Sequence, residues 1–365
     1  MAPFFYFCIM GYNSLQTCLD ELEKKGELRI ISEKSNPNLD LASLHLEEFS
    51  KKGKALLFNN VMGTKYRAVS NLFGTLDRSR FIFRDSLNVV RDLIDIKIDP
   101  TNIIKHPLRT FITALNAIYA LPKRVRFKDF DEIKIEDLPQ LKCWKEDGGA
   151  FITLPQVYTE DIESPGILNA NLGMYRIQLS GNEYEFNKEI GMHYQLHRGI
   201  GVHQTKANKK GEPLKVSIFV GGPPAHSFAA VMPLPEGISE LSFAGVLAKR
   251  RFRYAKKDGY TISADADFVI CGELHPNDLK PEGPFGDHLG YYSLKHDFPV
   301  LRVHKVYAKR NGIWPFTVVG RPPQEDSQFG KLIHEITGKA IENEIPGLIA
   351  VNAVDAAGVH PLLLA

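Results

Sequence analysis

From about residue 151 to residue 323 the chain reads as one short strand after another, and this limits its fold more than any other feature. Apolar runs at 215–220, 267–271, 300–307 and 314–319 alternate with Gly, Pro and Asn turns such as 208–213 and 221–224. Short strands at this rhythm predict a barrel or a sandwich. The flanks have a different texture. Over 13–25, Leu15, Cys18, Leu19 and Leu22 recur at helical spacing, and Gly26 stands where a helix stops. A second helix is expected after a cap at Asp40 or Asn38, with Leu41, Leu44 and Phe49 inward and Gly53 at its end. Runs at Ala55–Phe58 and 66–73 read as strands, which makes the beginning of the chain a small α/β unit. A helical stretch at 110–121 is closed by Pro122, and the charged, Pro-interrupted 123–140 reads as a domain boundary. Beyond the strand-rich part, Phe329, Leu332, Ile333, Ile336 and Ala340 predict an amphipathic helix capped by Asp326 or Ser327 and stopped by Pro346. The run 348–354 is apolar on both faces and has no later partner, so we expect the native polypeptide to continue past Ala365.

Bulk composition excludes some functions. A chain of 365 residues can bury two cores. Lys+Arg at 45 against Asp+Glu at 43 leaves a net charge of +2, which argues against a nucleic-acid partner. The one basic cluster, Lys249, Arg250, Arg251, Arg253, Lys256 and Lys257, reads as a solvated turn or strand edge in preference to a polyanion site. Cys8, Cys18, Cys143 and Cys271 lack metal-like spacing and read as reduced thiols of a reducing compartment. No apolar run is long enough to span a bilayer. The leader MAPFFYFCIM has no charged n-region or cleavage site, and Met10 before Gly11 looks like a second start. The expected location is the cytoplasm.

Three segments concentrate unusual polar residues. In Asn171-Leu172-Gly173-Met174-Tyr175-Arg176 an amide and a guanidinium flank a Gly, which suits either a ligand contact or a plain turn into a strand. In His193-Tyr194-Gln195-Leu196-His197-Arg198-Gly199, with His203 beyond, two His share a helical face, or His193, Gln195 and His197 share a strand face. That spacing suits a metal or phosphate, and equally a hydrogen-bonded core pair. In Pro281-Glu282-Gly283-Pro284-Phe285-Gly286-Asp287-His288 two acids sit among Gly, Pro and aromatic residues. Such surroundings are expected to desolvate a carboxyl, raise its pKa and make it a proton donor near neutral pH; the competing reading is a rigid loop with a capping Asp. Glu240 is a lone acid in an apolar stretch and needs an Arg or a cation as partner. Gly320-Arg321-Pro322-Pro323 reads as an exit turn.

Taken together, NLGMYR, HRG, SELSFAG, PEGPFGDHLGYY and VGRPP, with ALLFNN and SNLFGT before them, resemble the UbiD family of carboxy-lyases from near Leu15 to the end. The resemblance implies an α+β protein. Its parts would be a dispensable leader at 1–10, an N-terminal α/β domain at 11–125, a split β-barrel binding prenylated FMN at 126–325, a linking helix at 326–345 and the start of a largely missing C-terminal domain at 346–365. It implies Asn171, His197 and Glu240 as ligands of a Mn²⁺-type ion bridging to the cofactor phosphate, with K⁺ as a further ion. It implies Asn171, Met174, Tyr175, Arg176, His193, Tyr194, Gln195, Arg198, Gly199 and Glu240 as cofactor contacts, and Arg176, Glu282 and Asp287 as the catalytic set. The implied reaction is non-oxidative decarboxylation of an aromatic acid of ubiquinone or menaquinone synthesis, such as a polyprenyl 4-hydroxybenzoate or a dihydroxynaphthoate. The implied partners are a flavin prenyltransferase that supplies the cofactor, further copies of the chain, and a membrane surface reached through a lipid-tailed substrate. A split-barrel FMN reductase is the first rival, disfavoured because hydride transfer needs no paired acids. A truncated flavin-binding protein without activity is the second.

Overall fold

The computed structural model describes residues 11–234, 238–344, 348–349, 352–353 and 363–364. The expected first helix is Leu15–Lys24, capped by Ser14, whose hydroxyl accepts from the Thr17 amide, and Leu15, Cys18, Leu19 and Leu22 all face inward. The second, Asp40–Ser50, starts without a side-chain cap and buries Leu41, Ala42 and His45, whereas Leu44 and Phe49 are only half-buried. Two helices had no clear signature in the sequence, Leu76–Phe83 and Leu87–Ile98. The stretch expected at 110–121 is an α-helix, Pro107–Asn116, running into a 3₁₀ turn, Ala117–Ala120.

The N-terminal strands form a four-stranded sheet in the order Leu28–Ile31, Ala55–Phe58, Arg67–Ser70 and Ile313–Phe316. Its last strand returns from far along the chain and pairs parallel with Arg67–Ser70. The segment around 123–140 is likewise tied into sheets. Lys123–Arg124 pairs with Arg253–Lys257, and Phe130–Ile133 pairs with His296–Lys309.

The strand-rich part is a nine-stranded sheet curled into a half-barrel. Its centre is a long antiparallel hairpin, Phe268–Glu282 with His296–Lys309, paired from Phe268 opposite Ala308 to Glu282 opposite His296, with register shifts after Cys271 and between Leu274 and Leu279. On one side lie Glu189–Met192, Ile177–Gln178 and Phe151–Ile152; on the other lie Leu214–Val220, Gln156–Glu160 and Ala170–Gly173. Apolar side chains of the curled sheet pack with Leu56, Phe58, Trp314 and Phe316 of the four-stranded sheet in one continuous core. The helix Glu325–Glu344 follows, burying Phe329, Leu332 and Ile336 as expected. The Ala340 side chain, Pro346 and the leader 1–10 lie outside the described residues, as does most of 348–354. Within that last run Asn352–Ala353 does have a partner, Leu363–Leu364.

The basic cluster is spent within the molecule. Arg250 and Arg253 meet Asp265, Lys256 meets Glu160, and Arg251 donates to the carbonyls of Leu121 and Pro122. Cys18, Cys143 and Cys271 are buried free thiols.

Candidate active site

The ends of three strands of the curled sheet converge, with His296–Lys309 lying between the second and the third. Arg176 immediately precedes Ile177–Gln178, His193 immediately follows Glu189–Met192, and Glu282 ends the first arm of the long hairpin. The His193 amide donates to the Arg176 carbonyl at 3.3 Å, which keeps the two side chains on adjacent rungs. The Arg176 guanidinium grips Glu282 through two parallel bonds of 2.8 Å each, from Nε to Oε1 and from Nη2 to Oε2. Such a fork is the strongest form of charged hydrogen bonding. Its remaining donors reach Asp287 Oδ2 at 3.3 Å and Ser293 Oγ at 3.1 Å, and the Phe285 ring lies under it at 4.6 Å. His193 Nδ1 lies 3.0 Å from Glu282 Oε2, and its ring packs against Phe298 at a tilt of 35°, with the centroids 4.1 Å apart.

The loop that carries the acids is anchored on all sides. Gly283 is held by Gln178 and Asn182, and Asp147 accepts from the Gly286 amide. A Cβ at Gly286 would come within 2.2 Å of the Trp144 ring, so only glycine lets the loop lie this close. Trp144 in turn donates to the Val319 carbonyl, just before the Gly320–Pro323 turn.

The charge state of this site corrects the sequence reading. Burial alone would push the Glu282 carboxyl up, but the hydrogen bonds from His193 and Arg176 outweigh it and hold the carboxyl below its ordinary value. Glu282 is an anion, not a neutral acid. The Asp287 side chain is half-buried, 37 % exposed.

A second group of expected residues gathers beside the first. Asn171, on Ala170–Gly173, has a buried Nδ2 without a hydrogen-bond partner among the described residues. The Glu240 carboxylate opens the helix Glu240–Leu247 and is met by backbone amides alone, the Leu172 amide at 3.4 Å among them, while burial pushes its pKa up. The amide and the carboxylate are therefore joined through adjacent backbone, and the buried carboxylate is met by no cationic side chain among the described residues. Gly199 begins the helix Gly199–Lys210, where a Cβ would fall 2.0 Å from Asn171 Oδ1. The helix N-terminus thus backs directly onto the amide, with Arg198 exposed at its cap, an arrangement that favours an anion. Burial also pushes the Tyr175 phenol up, against the pull of Asn171 and Arg198 beside it.

Not every expected residue points into this space. The 193–198 segment is neither helix nor strand, so His193 and His197 share no face; His193 meets Glu282, while His197 and Gln195 are exposed. Tyr194 is buried, with its hydroxyl on Gln204. Met174 is partly buried against the core, its amide on the Ala230 carbonyl. Among the described residues no three His, Cys, Asp or Glu side chains gather as a metal site; Asn171, His197 and Glu240 contain only two of those types. Ser293, Phe285 and Asp147 were missed by sequence reasoning, although the first two belong to or abut the PEGPFGDHLGYY run.

The whole fold is that of known lyases. It superposes with a TM-score of 0.80 on the closed form of vanillic acid decarboxylase from Sedimentibacter hydroxybenzoicus, at 24 % identity, over 95 % of this chain and 73 % of that one. With an evolved dimeric form of the UbiD-class enzyme HmfF from Pelotomaculum thermopropionicum, in complex with prFMN, the TM-score is 0.76 at 21 % identity, over 94 % and 76 % of the two chains. Residues 120–322 match the 3-octaprenyl-4-hydroxybenzoate carboxy-lyase Rift-related domain and residues 19–97 match the N-terminal domain of the same carboxy-lyases, so the chain belongs to the UbiD family. A 4-hydroxybenzoate decarboxylase subunit from Chlamydia pneumoniae is 38 % identical over 338 residues, covering 90 % of this chain and 56 % of that protein. A protein of Archaeoglobus fulgidus is 33 % identical over 368 residues, covering 97 % and 74 %. The chain spans less than two thirds of the first curated relatives, 56 % of the C. pneumoniae protein and 61 % of one from Chlamydia trachomatis. Among the described residues no helix is long and apolar enough to cross a membrane.

Proposed function

We propose that the chain supplies the catalytic half-barrel of a non-oxidative decarboxylase of aromatic acids that works with prenylated FMN. The observation that carries this reading is the fully buried, ionised Glu282 in the fork of Arg176, beside the half-buried Asp287. Arg–carboxylate pairs also occur as structural staples. This one joins the ends of three strands and keeps one donor of the guanidinium on a half-buried acid.

The residues present fit the cofactor. The N-terminus of Gly199–Lys210 and Arg198 would take its phosphate, with Tyr175 and His193 beside the ring, the Tyr194 backbone between them, and Met174 and Gln195 turning toward it on binding. Asn171 and Glu240, joined by His197 from its exposed turn, would hold a divalent ion of the Mn²⁺ type against that phosphate, and K⁺ is the second ion of the reading. Once bound, the prenylated flavin supplies an electron-accepting ring for the electron pair that departing CO₂ leaves on an sp² carbon. The protein supplies the rest. Arg176 orients the substrate carboxylate and keeps Glu282 ionised. Glu282 accepts and relays a proton, and Asp287, in contact with solvent, delivers one to the carbon from which CO₂ has left. One C–C bond breaks and one C–H bond forms, with no net redox change. Polyprenyl 4-hydroxybenzoate and dihydroxynaphthoate, acids of quinone synthesis, are the substrates to try first, in a cytoplasmic homo-oligomer fed by a flavin prenyltransferase.

The test is coexpression with a flavin prenyltransferase, followed by the visible spectrum and CO₂ release from these acids. Flavin absorbance with CO₂ release supports the proposal; flavin absorbance with hydride transfer and no CO₂ would favour a reductase. Dialysis against EDTA is expected to weaken flavin retention together with metal loss. Retention unchanged by EDTA would remove Asn171, His197 and Glu240 as the metal set.

A further inference from the structure

Asp287 sits in a turn that closes on itself and leans on one neighbouring segment. The Asp287 amide donates to the Tyr291 carbonyl and the Gly290 amide to the Asp287 carbonyl, each at 3.0 Å. The His288 amide donates to Asp287 Oδ1 at 2.7 Å, while Arg176 holds Oδ2. The neighbour is the segment that leaves the four-stranded sheet and enters the linking helix. A Cβ at Gly290 would fall 2.9 Å from the Cβ of Arg321, and Trp144, which lies against Gly286, donates to the Val319 carbonyl. The charged contact is further on, where His288 Nδ1 lies 2.9 Å from Asp326 Oδ2.

Sequence spacing offered Asp326 as a helix cap, and the structure uses it differently. Asp326 lies inside the first turn of Glu325–Glu344, the Gln324 amide takes Ser327 Oγ, and the Asp326 carboxylate is turned to the loop of the acids. The His288 and Asp326 side chains are only 36 and 17 % exposed, so their attraction is screened less than that of a surface pair. Burial opposes the charge on His288, but Asp326 and then Asp287 outweigh it, against Arg176, and raise the imidazole above its ordinary value. The head of the helix is itself fixed, because Glu325 accepts the Phe73 amide of the N-terminal unit at 2.7 Å. A staple elsewhere on the loop would hold it equally well. This one grips the residue whose own amide orients the Asp287 carboxylate, so a shift of the His288 ring carries that amide with it.

We propose that His288 and Asp326 are positioning residues, an ion pair through which the head of the linking helix sets the place of the Asp287 carboxylate. The inference rests on the decarboxylase reading, and its test separates the two. Asp326→Asn keeps the shape and removes the charge. In the flavin-free protein, NMR is expected to show the His288 ring titrating lower than in the parent. Amide exchange over 287–292 is expected to be about tenfold faster, with the long hairpin unchanged. His288→Asn gives the same exchange readout from the other side of the pair. In the flavin-loaded protein each variant is expected to lower kcat about 10–100-fold, with KM within about twofold and flavin retained. The double variant should be no slower than the singles, and Asp326→Glu should recover part of the rate. Because the His288 pKa is raised, the pair is lost as pH rises through it, so the parent's advantage over Asp326→Asn should close on the alkaline side. An unchanged His288 titration or unchanged exchange overturns the proposal, whatever the chain catalyses. So do single variants with the parent kcat, or a double variant whose losses multiply. A parent that releases no CO₂ while both flavin-free readouts move as expected removes the decarboxylase reading and leaves the coupling of the helix head to Asp287 standing.

Discussion

At the tip of the long hairpin Glu282 is fully buried and meets Arg176 and His193. At the head of the linking helix Glu325 is just as buried, yet no guanidinium grips it; it receives the Phe73 amide at 2.7 Å, and its other oxygen lies 4.0 Å from His45 Nδ1. The first carboxyl is held below its ordinary value, whereas the second is pushed up to about 7 by burial. His45 cannot compensate, because burial pushes it down to about 4 and keeps it neutral. The contrast teaches that burial fixes the penalty on a carboxylate, while the partner fixes the sign of the net shift. Glu240 belongs with Glu325 in this respect: burial pushes its pKa up, backbone amides are its partners, and a bound cation would supply the charge that no side chain supplies there among the described residues.

The largest effect should come from removing the compensating partner. Arg176→Met leaves Glu282 buried against His193 alone and is expected to cost about 3–5 kcal/mol near neutral pH, measured by urea unfolding. Because the folded pKa of Glu282 is depressed, its stabilisation is present above the unfolded carboxyl range and is lost as pH falls through the folded value, so the penalty of Arg176→Met should shrink in acid. A cost below about 1 kcal/mol near neutral pH would break the comparison. A smaller effect of opposite sign is expected at the other acid. The Glu325 pKa is raised, so its stabilisation is complete below the ordinary carboxyl range and is lost as pH climbs to about 7. Glu325→Gln keeps an acceptor for Phe73 and should stabilise the protein by about 1–3 kcal/mol above that pH, and by nothing in acid. The same gain at all pH values would mean that Glu325 does not titrate.

The sequence made some of this legible and hid the rest for identifiable reasons. Strand rhythm predicted the curled sheet, and helical spacing predicted Leu15–Lys24 and the inward side of Glu325–Glu344, because period and burial coincide there. The helix Leu76–Phe83 escaped because a charged residue, Arg78, occupies its buried side, where the guanidinium is used by the carbonyls of Gly53, Asn71 and Leu72. Periodicity found the 110–121 helix but said nothing about which way its apolar stripe points. In the site, Arg176 and Glu282 are 106 residues apart, so no local pattern links them, and the family motifs had to. Composition around Glu282 is apolar and predicted a raised pKa; the cation that reverses it arrives from another strand.

The central claim is that the Arg176–Glu282–Asp287 cluster is catalytic and not a structural staple. The most direct measurement is CO₂ release by the flavin-loaded protein and by its Glu282→Gln and Asp287→Asn variants, with flavin absorbance and melting temperature recorded on the same samples. Both substitutions keep side-chain size and remove the ionisable group. The account predicts that both variants retain flavin and fold while turnover falls by about 10²–10⁴. Variants that turn over at the parent rate, or that lose their fold in place of their activity, would contradict it.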